Sequence, residues 1–281
     1  VVRARVWLAH SYLSSDLSSD EPALAAEQFA LAADAASAWP DQHHHAALTQ
    51  QAAEALGLAG LGAESVRAYE RAVELWSGLG ENAAAVRALR ALAWQTRDPG
   101  AAGAAGTAGP DAAERVMARA VDLCERAART AGDDDERAEL RIELGRTHQQ
   151  FAQLHLARSD GPPAREQDTP QRYTENVAAY ERALARTERA TEAFAACGTA
   201  GQDDLFAAEL FAVRLESGLG RRTAAAERAR RLATRLRELP DPDGSLAELG
   251  ALCAAFMAES DGSNGNYASD GNYDENGRHD A

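Results

Sequence analysis

Five short segments place a small residue at the same point of a helical pattern. AYERAVEL occupies 68–75 and AYERALAR 179–186, and VMARAVDL at 116–123, AAERARRL at 225–232 and QFALAADA at 28–35 follow the same outline. The shared alanines are Ala32, Ala72, Ala120, Ala183 and Ala229, separated by 40, 48, 63 and 46 residues. A unit recurring at this range is one helical hairpin. At about 25 cal/mol per Å² of buried apolar surface, an alanine-rich hairpin is too small to stand alone. It must stack on copies of itself. The two longest intervals span polar stretches at 97–110 and 159–170. Without these inserts the spacing falls toward the period of about 34 residues expected of helix-turn-helix repeats.

Composition supports the same answer. The 281 residues include 66 alanines and a single isoleucine, Ile142. Alanine is the best helix former and the β-branched strand formers are scarce, so an all-α chain is predicted. The length suits one elongated domain or two compact ones. All 29 basic residues are arginine. Without lysine the chain holds neither a Walker phosphate loop nor a Schiff-base amine. The net charge of −15 disfavours nucleic acid and anionic membrane surfaces. Cys124, Cys197 and Cys253 form no CxxC pair, which predicts reduced thiols in a cytoplasmic protein. No apolar run reaches about 18 residues and no basic-then-apolar leader is present, so no membrane span or signal segment is expected. The chain begins Val1-Val2, which is expected of a fragment or of a GTG start.

Helical periodicity predicts a helix over 1–13, with Val2, Val6, Ala9 and Leu13 at helical spacing. Further helices are expected from Pro22 to Trp39, from Asp41 to Leu56, and over 63–77 and 81–96. Asp111 with Glu114, and Asp133 with Glu136, read as capping boxes for helices ending near Ala131 and Arg158. Thr169-Pro170 reads as a cap and first-turn proline for a helix to Cys197. Helices over 202–218 and 222–239 follow, and Ser245 with Glu248 caps a last one to Ala258. Residues 259–281, rich in Asn, Gly, Asp and Tyr, are too polar to offset their ordering entropy and are expected to be a disordered acidic tail.

An aromatic residue followed three later by alanine, Tyr69/Ala72 and Tyr180/Ala183, resembles the tetratricopeptide repeat (TPR) family. Leu144-Gly145 echoes the family's first-helix pattern, and Pro40 sits where a repeat ends. The resemblance covers residues 1–258. It implies a right-handed superhelical solenoid of about five degenerate hairpins plus a capping helix, with both polar linkers inside hairpins. The chain is also similar to repeat regions of large actinobacterial TPR proteins. Other helical-hairpin solenoids and a compact bundle are the alternatives.

Candidate chemistry is sparse. His43-His44-His45 point about 100° apart on a helix and cannot chelate one ion together. His148 and His155 share a face, but HQQFAQLH holds no acidic ligand, so they read as packing or groove lining. Asp270, Asn272 and Asp274 imitate a calcium loop that Glu275 and Ala281 then break. GLAGLG at 57–62 follows a helix and reads as a turn. No catalytic constellation, metal site or cofactor motif is expected, and the chain is not predicted to be an enzyme.

On the helix at 81–96, Val86, Leu89 and Ala93 should face the core, while Arg87, Arg90 and Trp94 form a second stripe. Arginine with an exposed tryptophan is a typical hot-spot composition. The resemblance implies that first helices line a concave groove, so Arg141, His148 and Gln149 would extend the lining. Arginine walls favour an acidic or carboxylate-ended peptide. The family's chaperone-tail clamp uses lysine and asparagine, and residues 1–258 hold no lysine and only Asn82 and Asn176. The leading expectation is a non-catalytic adaptor binding a protein or acidic peptide. The alternative is a sensory or oligomerisation module of a larger transcriptional regulator or signalling ATPase.

Overall fold

The computed structural model describes residues 1–14, 21–97, 109–159, 161–164, 168–239, 250–251 and 253–257. The predicted cap at Ser245/Glu248, the acidic tail, and most of the 97–110 linker lie outside the described residues. Among the described residues all regular structure is helical. The elements are α1 (Val2–Leu13), α2 (Glu21–Ala36), α3 (His43–Leu58), α4 (Gly62–Leu79), α5 (Asn82–Thr96), α6 (Pro110–Thr130), α7 (Asp134–Leu156), α8 (Pro170–Ala195), a 3-10 turn (Gly198–Gly201), α9 (Gln202–Gly218) and α10 (Arg222–Arg237). The chain falls into two compact units, Val1–Leu205 and Phe206–Ala281.

In the first unit every helix from α1 to α8 packs on the next, and α5 also packs on α7. Neighbour-on-neighbour packing is what a stack of hairpins produces, and the unit is an all-α solenoid. The repeat alanines explain its tightness. Ala32, Ala72, Ala120 and Ala183 here, and Ala229 in the second unit, are all 0% exposed. A methyl side chain lets two helix backbones approach where a longer one would hold them apart. Tyr69 is buried as the pattern predicts, while Tyr180 is only half-buried.

Three clusters form the core of the first unit. Phe29 and the alanines of α2 pack with Leu48 and Ala52 of α3. Tyr69 and Val73 of α4 meet Val86, Leu89 and Leu92 of α5, Cys124 of α6 and Leu140 of α7. Met117 of α6 packs with Phe151 and Leu154 of α7. Val86, Leu89 and Ala93 are fully buried, as their stripe predicts. Leu13 keeps the apolar spacing of α1 but is exposed. Gly145 of α7 meets Phe194 of α8 so closely that an added Cβ would lie 2.5 Å from the ring. In the second unit, Phe206, Leu210 and Val213 of α9 pack with Ala225, Ala229 and Leu232 of α10 and with Cys253.

The helix starts agree with sequence in part. Asp133 Oδ1 accepts from the Glu136 amide at 2.7 Å, and Glu136 reaches back to the Gly132 amide at 2.8 Å. Thr169 accepts from the Arg172 amide at 3.3 Å. The expected box at Asp111/Glu114 does not form: α6 starts from Gly109 with Pro110 in its first turn and no side-chain cap. Both carboxylates bind Arg158 instead, at 3.2 and 2.7 Å. An ion pair to a charged partner outweighs a cap that the proline has made less necessary.

Candidate functional site

Helix α5 presents Arg87, Arg90 and Trp94 toward α7. Arg90 is buried, and its Nη1 donates to Glu143 Oε2 at 2.5 Å, to the Glu143 carbonyl at 3.2 Å and to Thr147 Oγ1 at 3.3 Å. Thr147 in turn donates to the Glu143 carbonyl at 2.6 Å. Arg87 is exposed and donates to Glu143 Oε1 at 3.0 Å and to Glu139 at 3.5 Å. Arg146 lies 3.7 Å from Glu143 and 2.9 Å from Asp204. Trp94 is half-buried, donates from Nε1 to Gln150 at 3.3 Å, and carries the Arg97 guanidinium 5.6 Å from its ring centre. One buried carboxylate thus gathers three arginines from two helices.

The stripe on α7 separates into different surroundings. Arg141 is exposed and Gln149 half-buried. His148 is buried with no hydrogen-bond partner for Nδ1. Burial, then Arg186 and Arg189, push its pKa down to about 4, so it is a neutral imidazole at pH 7. His155 is also buried, stacks on Phe151 at 4.8 Å, and lies 3.5 Å from Glu114. Arg186 of α8 covers the same Phe151 ring at 4.0 Å. His148 therefore belongs to the α7–α8 layer. The α7 residues that meet the α5 stripe are Glu143, Thr147 and Gln150.

Sequence reasoning missed Glu143. The signal was available: Glu139 and Glu143 stand one turn apart on α7, as Arg87 and Arg90 do on α5. Such spacing sets each pair on one face of its own helix, and the packing of α5 on α7 brings the two faces together.

The histidine run takes a different form. His43 bonds Asp41 at 2.8 Å and Glu81 at 3.0 Å through its two ring nitrogens, linking the starts of α3 and α5. Those hydrogen bonds, Glu81 first and Asp41 second, raise its pKa above the usual value. The thiols are held in their protonated form. Burial pushes Cys124 up to about 12, and its Sγ donates to the Leu140 carbonyl at 2.9 Å. Burial also raises Cys197 and Cys253. Among the described residues no group of three or more His, Cys, Asp or Glu is placed to hold a metal ion. No helix among them is long and apolar enough to cross a membrane.

No family model matches the chain, and no curated protein matches it in sequence. Solved structures do resemble it. A Podosopora anserina protein of nearly identical TPR-like repeats shares 15% identity at a TM-score of 0.47, over 92% of this chain and 96% of that one. BtubC from P. vanneervenii shares 10% at 0.45, over 100% and 97%. A tetratricopeptide repeat protein from Parabacteroides merdae shares 10% at 0.23, over 90% and 98%. The solved structures to which the chain is similar thus include TPR-like helical-repeat proteins.

Proposed function

We propose that the chain is a non-catalytic protein-interaction scaffold whose α5–α7 surface receives an acidic peptide. The observation that carries this reading is preorganisation. Arg87 keeps 44% of its side chain exposed while Glu143 and Glu139 fix its position. Trp94 is likewise held by Gln150 and flanked by Arg97. A charged fork and an aromatic plane fixed before contact lose little entropy on binding. Arg87, Trp94 and Gln149 form the contact surface, while Arg141, on the face of α7 that carries His148 and near Cys197, lies away from it. Arg90 is the support beneath it, and His148 is packed behind it.

The test uses the full chain and a panel of immobilised Asp/Glu-rich peptides. Arg87→Ala combined with Arg97→Ala and Gln149→Ala alters side chains at the surface and should leave helicity intact. Affinity for the best peptide should fall by about tenfold or more. Equal affinity in the triple variant would remove this surface as the site. No binding by the parent chain to any acidic peptide would remove the peptide class.

A further inference from the structure

Helix α10 carries six arginines and one glutamate in a chain of net charge −15. Three of them, Arg228, Arg231 and Arg235, fall at i, i+3 and i+7, on one face. That face borders a cavity of about 90 Å³ lined by these three residues with Glu209 and Leu232. Arg228 is already committed. It donates to Glu209 at 2.9 Å and to Glu216 Oε1 at 2.9 and 3.2 Å. Arg231 and Arg235 are exposed and have no carboxylate partner among the described residues. Arg235 rests 5.4 Å from the Phe206 ring centre, and Leu232 beneath is buried.

We propose that this cavity is a binding site for a single oxyanion, a phosphate or carboxylate group, held by Arg231 and Arg235. Each guanidinium offers planar, paired donors that match an oxyanion edge. Arg228, fixed by two carboxylates, forms a wall rather than a ligand. The apolar side chain of Leu232 in the cavity wall strengthens a charge pair formed beside it. Three arginines against Glu209 of the wall and Glu216 behind Arg228 leave one positive charge, which favours an anion over a cation as the occupant. The volume is that of a few water molecules and admits one small group rather than a folded ligand. The site lies in the second unit and does not rest on the peptide surface of the first.

The experiment is NMR titration of the ¹⁵N-labelled full chain with inorganic phosphate and, separately, acetate, at ionic strength held constant with sodium chloride. Saturable shifts are expected in the α10 amides around 228–235 and in the Arg231 and Arg235 Nε–H signals. Saturation by phosphate alone identifies a phosphoryl ligand, and saturation by acetate as well identifies a carboxylate. Arg231→Gln and Arg235→Gln change exposed side chains and should each weaken binding about ten- to a hundredfold. Arg237→Gln, which removes a charge from the same helix outside the cavity, should retain the affinity. The proposal is overturned by the absence of saturable shifts with both anions. It is equally overturned if Arg237→Gln weakens binding as much as Arg231→Gln.

Discussion

Arg90 of α5 and Glu143 of α7 meet at 2.5 Å with both side chains almost wholly buried. The carbonyl of Glu143 and the hydroxyl of Thr147 share the remaining N–H of the same guanidinium nitrogen. Two adjacent hairpins are thereby joined through a charge pair that water hardly reaches. Glu143→Leu strands the cation, and breaking such a pair costs about 3–5 kcal/mol. Arg90→Met together with Glu143→Leu should recover most of that loss, because an apolar pair of similar volume no longer carries the desolvation penalty. Urea unfolding reads both. A single variant as stable as the parent chain contradicts the clasp.

Gly145 makes a second, steric test. Its missing Cβ is the space filled by Phe194, 2.5 Å away. Gly145→Ala forces the ring aside and should cost about 1–3 kcal/mol despite alanine's better helix propensity. Adding Phe194→Leu should restore part of the loss. A melting temperature raised by Gly145→Ala would mean that the ring has room to move.

The repeat register predicts a contrast between two alanines. Ala72 is completely buried and Ala30 is exposed. Ala72→Leu should destabilise by about 1–3 kcal/mol through overpacking, while Ala30→Leu should stay within about 0.5 kcal/mol of the parent. Equal effects would show that the two positions are not distinguished by packing.

His148 makes stability depend on acid. Its pKa is about 4 in the fold against 6.5 for the unperturbed ring. The unfolded chain therefore takes up a proton that the folded chain refuses. Stability from the neutral ring is present above pH 6.5 and falls as pH drops from 6.5 toward 4, by about 1.4 kcal/mol per pH unit in that window. His148→Leu should flatten this part of a urea-midpoint profile. A variant with the parent's slope between pH 6.5 and 4 refutes the assignment.

His43 has the opposite sign. Glu81 and Asp41 favour its charged form, so its contribution is complete below pH 6.5 and is lost as pH rises through the higher folded pKa. The pair is solvent-exposed, and NMR titration of the ring is the suitable readout. Glu81→Gln should lower the measured pKa toward the usual value. An unchanged titration would show that the Glu81 contact is not kept in solution.

The parts of the fold legible in sequence are those set by local periodicity. The bounds of α9 and α10, the core stripe of α5, and the Asp133 and Thr169 caps all depend on residues within a turn or two of one another. What escaped is what depends on a distant partner. Asp111 and Glu114 look like a capping box until Arg158, more than 40 residues away, claims both. Arg90 looks like groove lining until Glu143 buries it. Leu13 matches the apolar spacing of α1 but stays exposed at the end of the helix. The six arginines of α10 carried no site reading in the sequence. Helical spacing alone did not show which were paired with Glu209 and Glu216.

Packing of each helix on the next has a kinetic consequence. Contacts between segments close in the chain close small loops, at low entropic cost, so any hairpin of the first unit can nucleate and growth can run in either direction. The Arg90–Glu143 link is an exception, joining residues 53 positions apart across an intervening helix. It can form only after α5, α6 and α7 have assembled. Interactions made that late leave the folding rate nearly untouched and lengthen the lifetime of the folded chain. The clasp acts as a brake on unzipping between the third and fourth hairpins.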